Sequence, residues 1–421
     1  MRSTAGFLVP LLALTLAAPP VTVAATPDAG PAAWTVTRLP PVRGDAAYVR
    51  HIAAGPAGLV AIGLRVGTTD GQPMRAWGEV WRSADGVSWT AVDPVAGGLA
   101  LGAYRPVLSG PETGLIDVAA GPDGFVLVGR GTFGPVADRP IAVWRSPDGA
   151  TWTRTDARFP AATRPTRLVR GSDGYLLAGV IYGERAPRAA VWSSPDGRMW
   201  TRAADDDVFG VGGYIDTMED PASGGIGALT AVGGGALAVG LACFPSFDRT
   251  RWAWSGGCWG DGWVSPDGTG WADATLPQTA GSYTGAAALG TRAIVTTEIC
   301  PDCPPAVLVA DIDVDGDGAP DADAPWRVAY GAPVGGRFLA IAAGADAAWI
   351  LLAGPTGGLH LWRSADGERW AEVPDLPAIP GGATWVAEGD LAIHDGHVVI
   401  VASVEAGTPG AWVLRGPAAA G

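Results

Sequence analysis

Lysine and asparagine are absent from all 421 residues, and cysteine, methionine and histidine occur four times each. Without asparagine there is no N-glycosylation acceptor. With Arg as the only basic residue type besides His, coding by a GC-rich bacterium is the natural source. The four His, at 51, 360, 394 and 397, show no metal-ligand spacing; His394 and His397 flank a hairpin turn, IHDGHV. No H-E-x-x-H, no G-x-S-x-G and no phosphate-binding glycine loop is present. Positive charge is also short: 28 Arg face 42 acidic residues, a formal net charge of -14. So acidic a chain repels phosphate backbones and anionic lipid heads, which argues against nucleic acid or a membrane surface as partner.

No apolar run is long enough to span a bilayer, which takes roughly 20 residues. The stretch from Phe7 to Ala18 is interrupted by Pro10, follows Arg2 and leads to a small-residue site at Val23-Ala24-Ala25. That is the layout of a signal peptide over residues 1–25. Export, no membrane insertion and a secreted, monomeric mature chain are therefore expected, at -15 once Arg2 is removed (-14 - 1).

Internal repetition supplies the organisation. VWRSADGVSW (80–89), VWRSPDGATW (143–152), VWSSPDGRMW (191–200), GWVSPDGTGW (262–271) and LWRSADGERW (361–370) share one pattern, with two Trp eight residues apart and Ser, Asp and Gly at fixed places between. Upstream of each lies an alternating apolar run, a tight turn and a second apolar run, as in IDVAAGPDGFVLVG. Two further copies, AAALGTRAIVTTE (286–298) and LAIHDGHVVIVAS (391–403), keep this half without the box. Period-two alternation between Gly, Pro and Asp turns gives short antiparallel strands, four per unit.

Seven units of four strands predict an all-β fold, a single seven-bladed β-propeller over residues 26–421 built of four-stranded antiparallel blades. The last unit ends after three strands, at AWVLRG (411–416), while WTVTRLP (34–40) has the form of a lone outer strand, so the N-terminal strand is expected to close the ring. The outer-strand Trp run from Trp34 to Trp370 at a mean spacing of (370 - 34)/6 = 56 residues. A WD-type blade takes about 40 to 45, so the surplus lies in loops.

The box resembles the Asp-box (BNR) repeat of sialidases and other secreted propellers, S-x-D-x-G-x-T-W, shortened by one residue because Gly follows Asp directly. That resemblance implies the propeller architecture. Its catalytic members clamp a carboxylate with three Arg and use a Tyr-Glu pair and an Asp, and Arg38-Leu39-Pro40 invites comparison with the motif that carries the first clamp Arg. Yet Leu-Pro or Phe-Pro recurs after the outer Trp elsewhere, at Phe159-Pro160, Leu276-Pro277 and Leu376-Pro377, which explains Leu39-Pro40 as a strand exit. The box aspartates Asp85, Asp148, Asp196, Asp267 and Asp366 are expected to build turns.

Long insertions fall on the face of the second-to-third and inter-blade connections, at 66–76, 93–113, 203–224, 243–260 and 299–305. Such loops on a rigid scaffold are where binding concentrates. The richest is CFPSFDRTRWAWSGGC (243–258), followed by Trp259. Phe244, Phe247, Arg249, Arg251, Trp252, Trp254 and Trp259 are the candidate ligand-binding residues, a mixture suited to stacking on sugar rings or anchoring a protein. A secreted, non-catalytic binding or scaffold propeller for an extracellular glycan or protein is the favoured function; a sialidase-like glycosidase is the alternative. An exported chain favours disulfides: Cys243 with Cys258 and Cys300 with Cys303 are preferred, with cross-blade pairing open. In the fifth unit DIDVDGDGAPDAD (311–323) replaces the box, and Asp313, Asp315, Asp317 and Asp321 match D-x-D-x-D-G-x-x-D. It resembles the calcium loop of FG-GAP propellers, so a structural Ca2+ bracing this hairpin is expected.

Overall fold

The computed structural model describes residues 34–40, 46–67, 75–99, 114–130, 141–160, 163–182, 187–203, 208–209, 225–248, 253–277, 281–299, 306–313, 315–329, 336–380, 386–404 and 410–418. Within them lie twenty-eight strands in seven four-stranded antiparallel sheets. The first strands of the seven blades are β2 (Ala46–Gly55), β6 (Gly114–Gly121), β10 (Thr163–Arg170), β14 (Gly225–Val232), β18 (Gly281–Leu289), β22 (Arg337–Ala343) and β26 (Val386–His394). Each packs against the first strands of both neighbours, and β26 returns to β2, so the ring is closed around an axis.

Closure is the expected one. The seventh sheet has the order β1-β28-β27-β26, where β1 is Thr35–Arg38, β27 is His397–Val404 and β28 is Gly410–Pro417. The amino-terminal strand is its outer member, with Thr35 opposite Arg415 and Arg38 opposite Trp412. The second strands, among them β3 (Gly58–Gly67), β7 (Gly124–Arg130) and β11 (Tyr175–Tyr182), read as nearly continuous apolar runs because both of their faces are covered by neighbouring blades. In β7 every residue is buried.

The box turns do two things at once. Within the hairpin, Ser146 Oγ accepts the Gly149 N–H at 2.8 Å, Asp148 Oδ1 accepts the N–H groups of Ala150 (2.9 Å) and Thr151 (3.1 Å), and Trp152 Nε1 donates to the Gly149 carbonyl at 3.1 Å. The same bonds recur around Asp85 and Asp267, and those of the Asp and Trp recur around Asp366. The box serines are all buried, so the Ser–Gly bonds satisfy groups that have no access to water.

Between blades, the box glycine lies on the second strand of the preceding blade. A Cβ on Gly149 would stand 2.6 Å from Val60 Cγ2, and one on Gly197 2.7 Å from Val126 Cγ2. These glycines also take φ near +71° and +75°, a left-handed backbone that side-chain-bearing residues resist. The linkers are held similarly: Trp81 Nε1 donates to the Pro40 carbonyl at 2.8 Å and Trp263 Nε1 to the Val208 carbonyl at 2.9 Å.

Gly149→Ala meets both the backbone and the packing penalty and is expected to lower the unfolding free energy by about 2–4 kcal/mol, measured by urea denaturation. The box carboxylates carry a second expectation. Asp148 is held below its ordinary value of 3.8 by the Ala150 and Thr151 N–H groups. Asp267 is lowered by Thr269 and Gly270, and Asp366 by the Arg369 N–H first. At Asp85 burial pushes upward, but the Ser88 and Val87 N–H groups outweigh it. A carboxyl lowered in the folded state contributes stability that is present above about pH 4 and lost as the pH falls through 3.8 and below. Melting temperature should therefore fall steeply between pH 4 and pH 3, and a triple Asp→Asn variant at 148, 267 and 366 should melt lower at pH 7 and show a shallower fall.

Candidate functional site

The fourth blade differs from the others in one respect. Its second and third strands, β15 (Gly235–Asp248) and β16 (Ala253–Ser265), run fourteen and thirteen residues where β7 has seven. They pair without a break from Ala236↔Ser265 to Asp248↔Ala253. The segment expected as a loop is thus a two-stranded ribbon extending the blade on the long-connection face. Pairs from Ala242↔Trp259 outward lie beyond the length of β7. Of 242–248 and 253–259 only the backbone is described, and Arg249, Arg251 and Trp252 lie outside the described residues.

Register places Cys243 directly opposite Cys258 at the base of this ribbon, and Phe247 opposite Trp254 near its tip. Phe244 faces Gly257 across the ladder, and Trp259 faces Ala242. The ribbon's root is seated on the fifth blade. Any Cβ on Gly260 would fall 2.3 Å from the Tyr283 ring, whose hydroxyl donates to the Pro277 carbonyl at 2.5 Å. Cys300 and Cys303, like most of the other long connections, lie outside the described residues.

In the fifth blade, Asp313, Asp315 and Asp317 come together, each offering a carboxylate oxygen within 4.8 Å of the others. Backbone bonds bend the loop inward: Gly318 N–H donates to Asp313 Oδ1 at 3.2 Å and Asp317 N–H to Asp315 Oδ1 at 3.1 Å. Asp321 is not one of the converging three; its N–H bonds the Ile312 carbonyl. The loop also latches onto the fourth blade, where Gly234 N–H donates to the Gly318 carbonyl at 2.6 Å and Thr275 N–H to the Ala322 carbonyl at 2.7 Å. It therefore occupies the place that a box turn holds elsewhere in the ring.

A second polar constellation was not foreseen. Each first strand carries a β-bulge, and in six of them it falls at the same register position. At one level, four residues before the first-to-second-strand turn, the seven strands carry His51, Asp117, Arg167, Ala228, Gly285, Ala340 and Asp390. Polar residues thus occupy four consecutive blades, seventh to third, and small ones the other three.

The carboxylates here are tied to backbone. Asp117 Oδ1 accepts the Val118 N–H and Oδ2 the Leu168 N–H of the next blade, both at 2.8 Å. Asp390 Oδ1 accepts the Leu391 N–H at 2.8 Å and Oδ2 the Ile52 N–H of the next blade at 3.1 Å. First strands are sheet edges, and these side chains satisfy N–H groups that the edge leaves unpaired. His51 Nδ1 stands 3.4 Å from Asp390 Oδ2 and 3.9 Å from Asp117 Oδ1, and its Nε2 lies 3.5 Å from Arg167 Nη1. Burial pushes the Asp117 carboxyl up, against the pull of His51 and Arg167.

Other arginines near the axis are engaged as well. Arg50 pairs with Glu388 at 2.9 Å, and Arg337 donates to the carbonyls of Val386 (3.1 Å) and Ala387 (2.6 Å). Arg38, by contrast, sits on the outermost strand with its guanidinium 5.9 Å from the Trp412 ring centroid. It is at the rim, which removes it from any axial carboxylate clamp. Repeat alignment contained the signal for the axial cluster, since HIAAG, DVAAG, RLVRG and DLAIH place His51, Asp117, Arg167 and Asp390 in the same column.

No protein-family model matches the sequence, and no curated protein matches it. Solved structures do resemble the fold. The chain is similar to the polysaccharide lyase Uly1 at a TM-score of 0.50 and 12% identity, covering 90% of each chain. It is similar to the β-propeller domain of the Trilobed protease from Pyrococcus furiosus (TM-score 0.46, 9% identity, 89% of this chain and 98% of that one). It also resembles Trypanosoma rangeli sialidase (TM-score 0.41, 11% identity), of whose chain it spans 55%. At these identities the likeness is one of fold.

Proposed function

We propose that this protein is a secreted, non-catalytic binding propeller that recognises an extracellular glycan or protein through its long-connection face. The observation that carries the reading is the β15–β16 ribbon. It adds seven register pairs beyond the length of β7; Phe244, Phe247, Trp254 and Trp259 lie along its paired strands, and Arg249, Arg251 and Trp252 stand between these strands in the sequence. A two-stranded ribbon alone is marginally stable in water, so its seating on Tyr283 and a covalent rung both support a rigid presenting arm. We infer that Cys243 and Cys258 form that rung: directly opposed antiparallel residues have Cα atoms about 4.5–5.5 Å apart, within the span a disulfide needs.

The glycosidase alternative draws less support. Arg38 is on the rim, three axial arginines are engaged with protein partners, and all four oxygens of Asp117 and Asp390 accept backbone N–H groups. A glycan array is the direct test, with Phe247→Ala and Trp254→Ala each expected to weaken a bound glycan about tenfold. Hydrolysis of a fluorogenic sialoside by the purified protein would overturn the non-catalytic reading.

We also propose that the Asp313–Asp315–Asp317 loop holds a structural Ca2+. Hard carboxylate oxygens in a tight, glycine-turned loop fit that ion, which would neutralise three crowded charges and strengthen the latch onto the fourth blade. Calcium should raise the melting temperature and a chelator lower it, and both effects should vanish in Asp315→Asn/Asp317→Asn.

A further inference from the structure

With no asparagine in the chain, deamidation cannot make isoaspartate, and any that forms must come from aspartate. Aspartate followed by glycine is the pairing most open to this, because glycine has no Cβ to hinder attack by its own nitrogen. Asp-Gly occurs twelve times here, five of them in the box. The reaction needs only water. The glycine nitrogen attacks the side-chain carboxyl carbon and a C–N bond forms. The amide proton and the carboxyl hydroxyl leave together as water, and a succinimide remains. Water then adds to either ring carbonyl, restoring aspartate or giving isoaspartate, whose main chain runs through Cβ and Cγ.

Three things favour the step: a glycine N–H free of partners, a carboxyl free to turn onto it, and room for the backbone to close into a ring. The box turns deny them. In four boxes the N–H of Gly86, Gly149, Gly197 or Gly268 is donated to a buried serine Oγ at 2.8–2.9 Å. All five box carboxylates accept the N–H two residues on, at 2.8–2.9 Å. Each box glycine also presses on the preceding blade, where a Cβ would stand 2.6–3.1 Å from a Val, Leu or Ile side chain. The Ala150 and Thr151 N–H groups further hold the Asp148 carboxyl below its ordinary value, in the ionised form that gives up an oxygen least readily.

Asp395-Gly396 meets all three conditions. It is the two-residue turn between β26 and β27, with His394 paired to His397 and left-handed backbone at both positions, φ 47° and 71°. The Asp395 side chain is 82% exposed and its carboxylate faces only His394 Nε2, at 3.4 Å. Among the described residues nothing accepts the Gly396 N–H, and a Cβ on Gly396 would meet nothing within 4 Å. The other described Asp-Gly pairs each keep a restraint. Gly124 and Gly174 lie against the Ser146 and Ser194 carbonyls, where a Cβ would stand at 2.2 Å, and Gly262 against Leu276. Asp315 and Asp317 accept backbone N–H groups at 3.1 and 2.7 Å.

We propose that Asp395 is the site at which the folded protein isomerises to isoaspartate, and that the box hydrogen bonds suppress the same reaction in their turns. The product carries an extra main-chain carbon in a turn whose Gly396 carbonyl accepts the Ala418 N–H at 2.9 Å. Ageing is thereby directed to the blade that closes the ring.

The purified full chain, incubated at 37 °C and at pH 5, where carboxylic acid is still populated, tests this when each Asp-Gly peptide is read for isoaspartate by electron-transfer mass spectrometry. One hydrogen bond broken on the way to the transition state slows a step about tenfold, so Asp395 should isomerise about ten times faster than Asp148 or Asp267, or more. In concentrated urea, where the turns are lost, the three rates should converge. Ser146→Ala should speed the reaction at Asp148 and leave Asp267 unchanged. Folded Asp148 or Asp267 reacting as fast as Asp395 overturns the proposal. So does the same ranking in urea, since sequence rather than structure would then set the rates.

Discussion

The contact between one blade and the next is the constraint on which everything else depends. A four-stranded sheet has two faces to cover, and here each blade covers its neighbour's. The box turn fixes the distance of approach: its glycine has no Cβ, so the hairpin can rest on the second strand of the blade before it, as Gly149 does on Val60 and Gly268 on Leu176. The Ser and Asp of the box hold that turn in shape without help from the neighbour. Local hydrogen bonding thus builds a part whose purpose is tertiary.

Other chemistry also joins the blades, in place of the box in the fifth blade and beside it elsewhere. In the fifth blade an acidic loop bonds across to Gly234, and at the junction of blades five and six Arg292 binds Asp311 through two nitrogens while also reaching the Asp366 carbonyl and Glu368. At the junction of first and last blades Ser403 Oγ bonds both the N–H and the carbonyl of Val49 at 2.7 Å. That seam joins segments from opposite ends of the chain, so loop-closure entropy opposes it more than any other seam. Ser403, Asp390, His51 and the Arg50–Glu388 pair all supply polar side-chain ties there.

The axis and the long-connection face divide the remaining chemistry. On the axis, sheet edges expose unpaired backbone groups, and carboxylates are drawn in to satisfy them, with His51 and Arg167 beside them. On the face, no such demand exists, and among the described residues the fourth-blade hairpin is lengthened instead. The first is a consequence of the fold that has acquired titratable groups; the second is an addition that the fold does not require.

The architecture was legible because its signals are local and repeated. A turn that needs Ser, Asp and Gly at fixed spacing, and strands that alternate every two residues, show themselves in any window of about fifteen residues, and the unpaired WTVTRLP segment near the amino terminus matched the strand missing at the other end. The convergence of Asp313, Asp315 and Asp317 was legible for the same reason. What only the tertiary structure decided was which residues face one another across the ring. His51, Asp117, Arg167 and Asp390 come from four units spread over 340 positions, and nothing within any one unit requires the others. The ribbon of the fourth blade was equally hidden, because its glycines and aromatics read as a loop until the partner strand supplied the hydrogen bonds that make it a sheet.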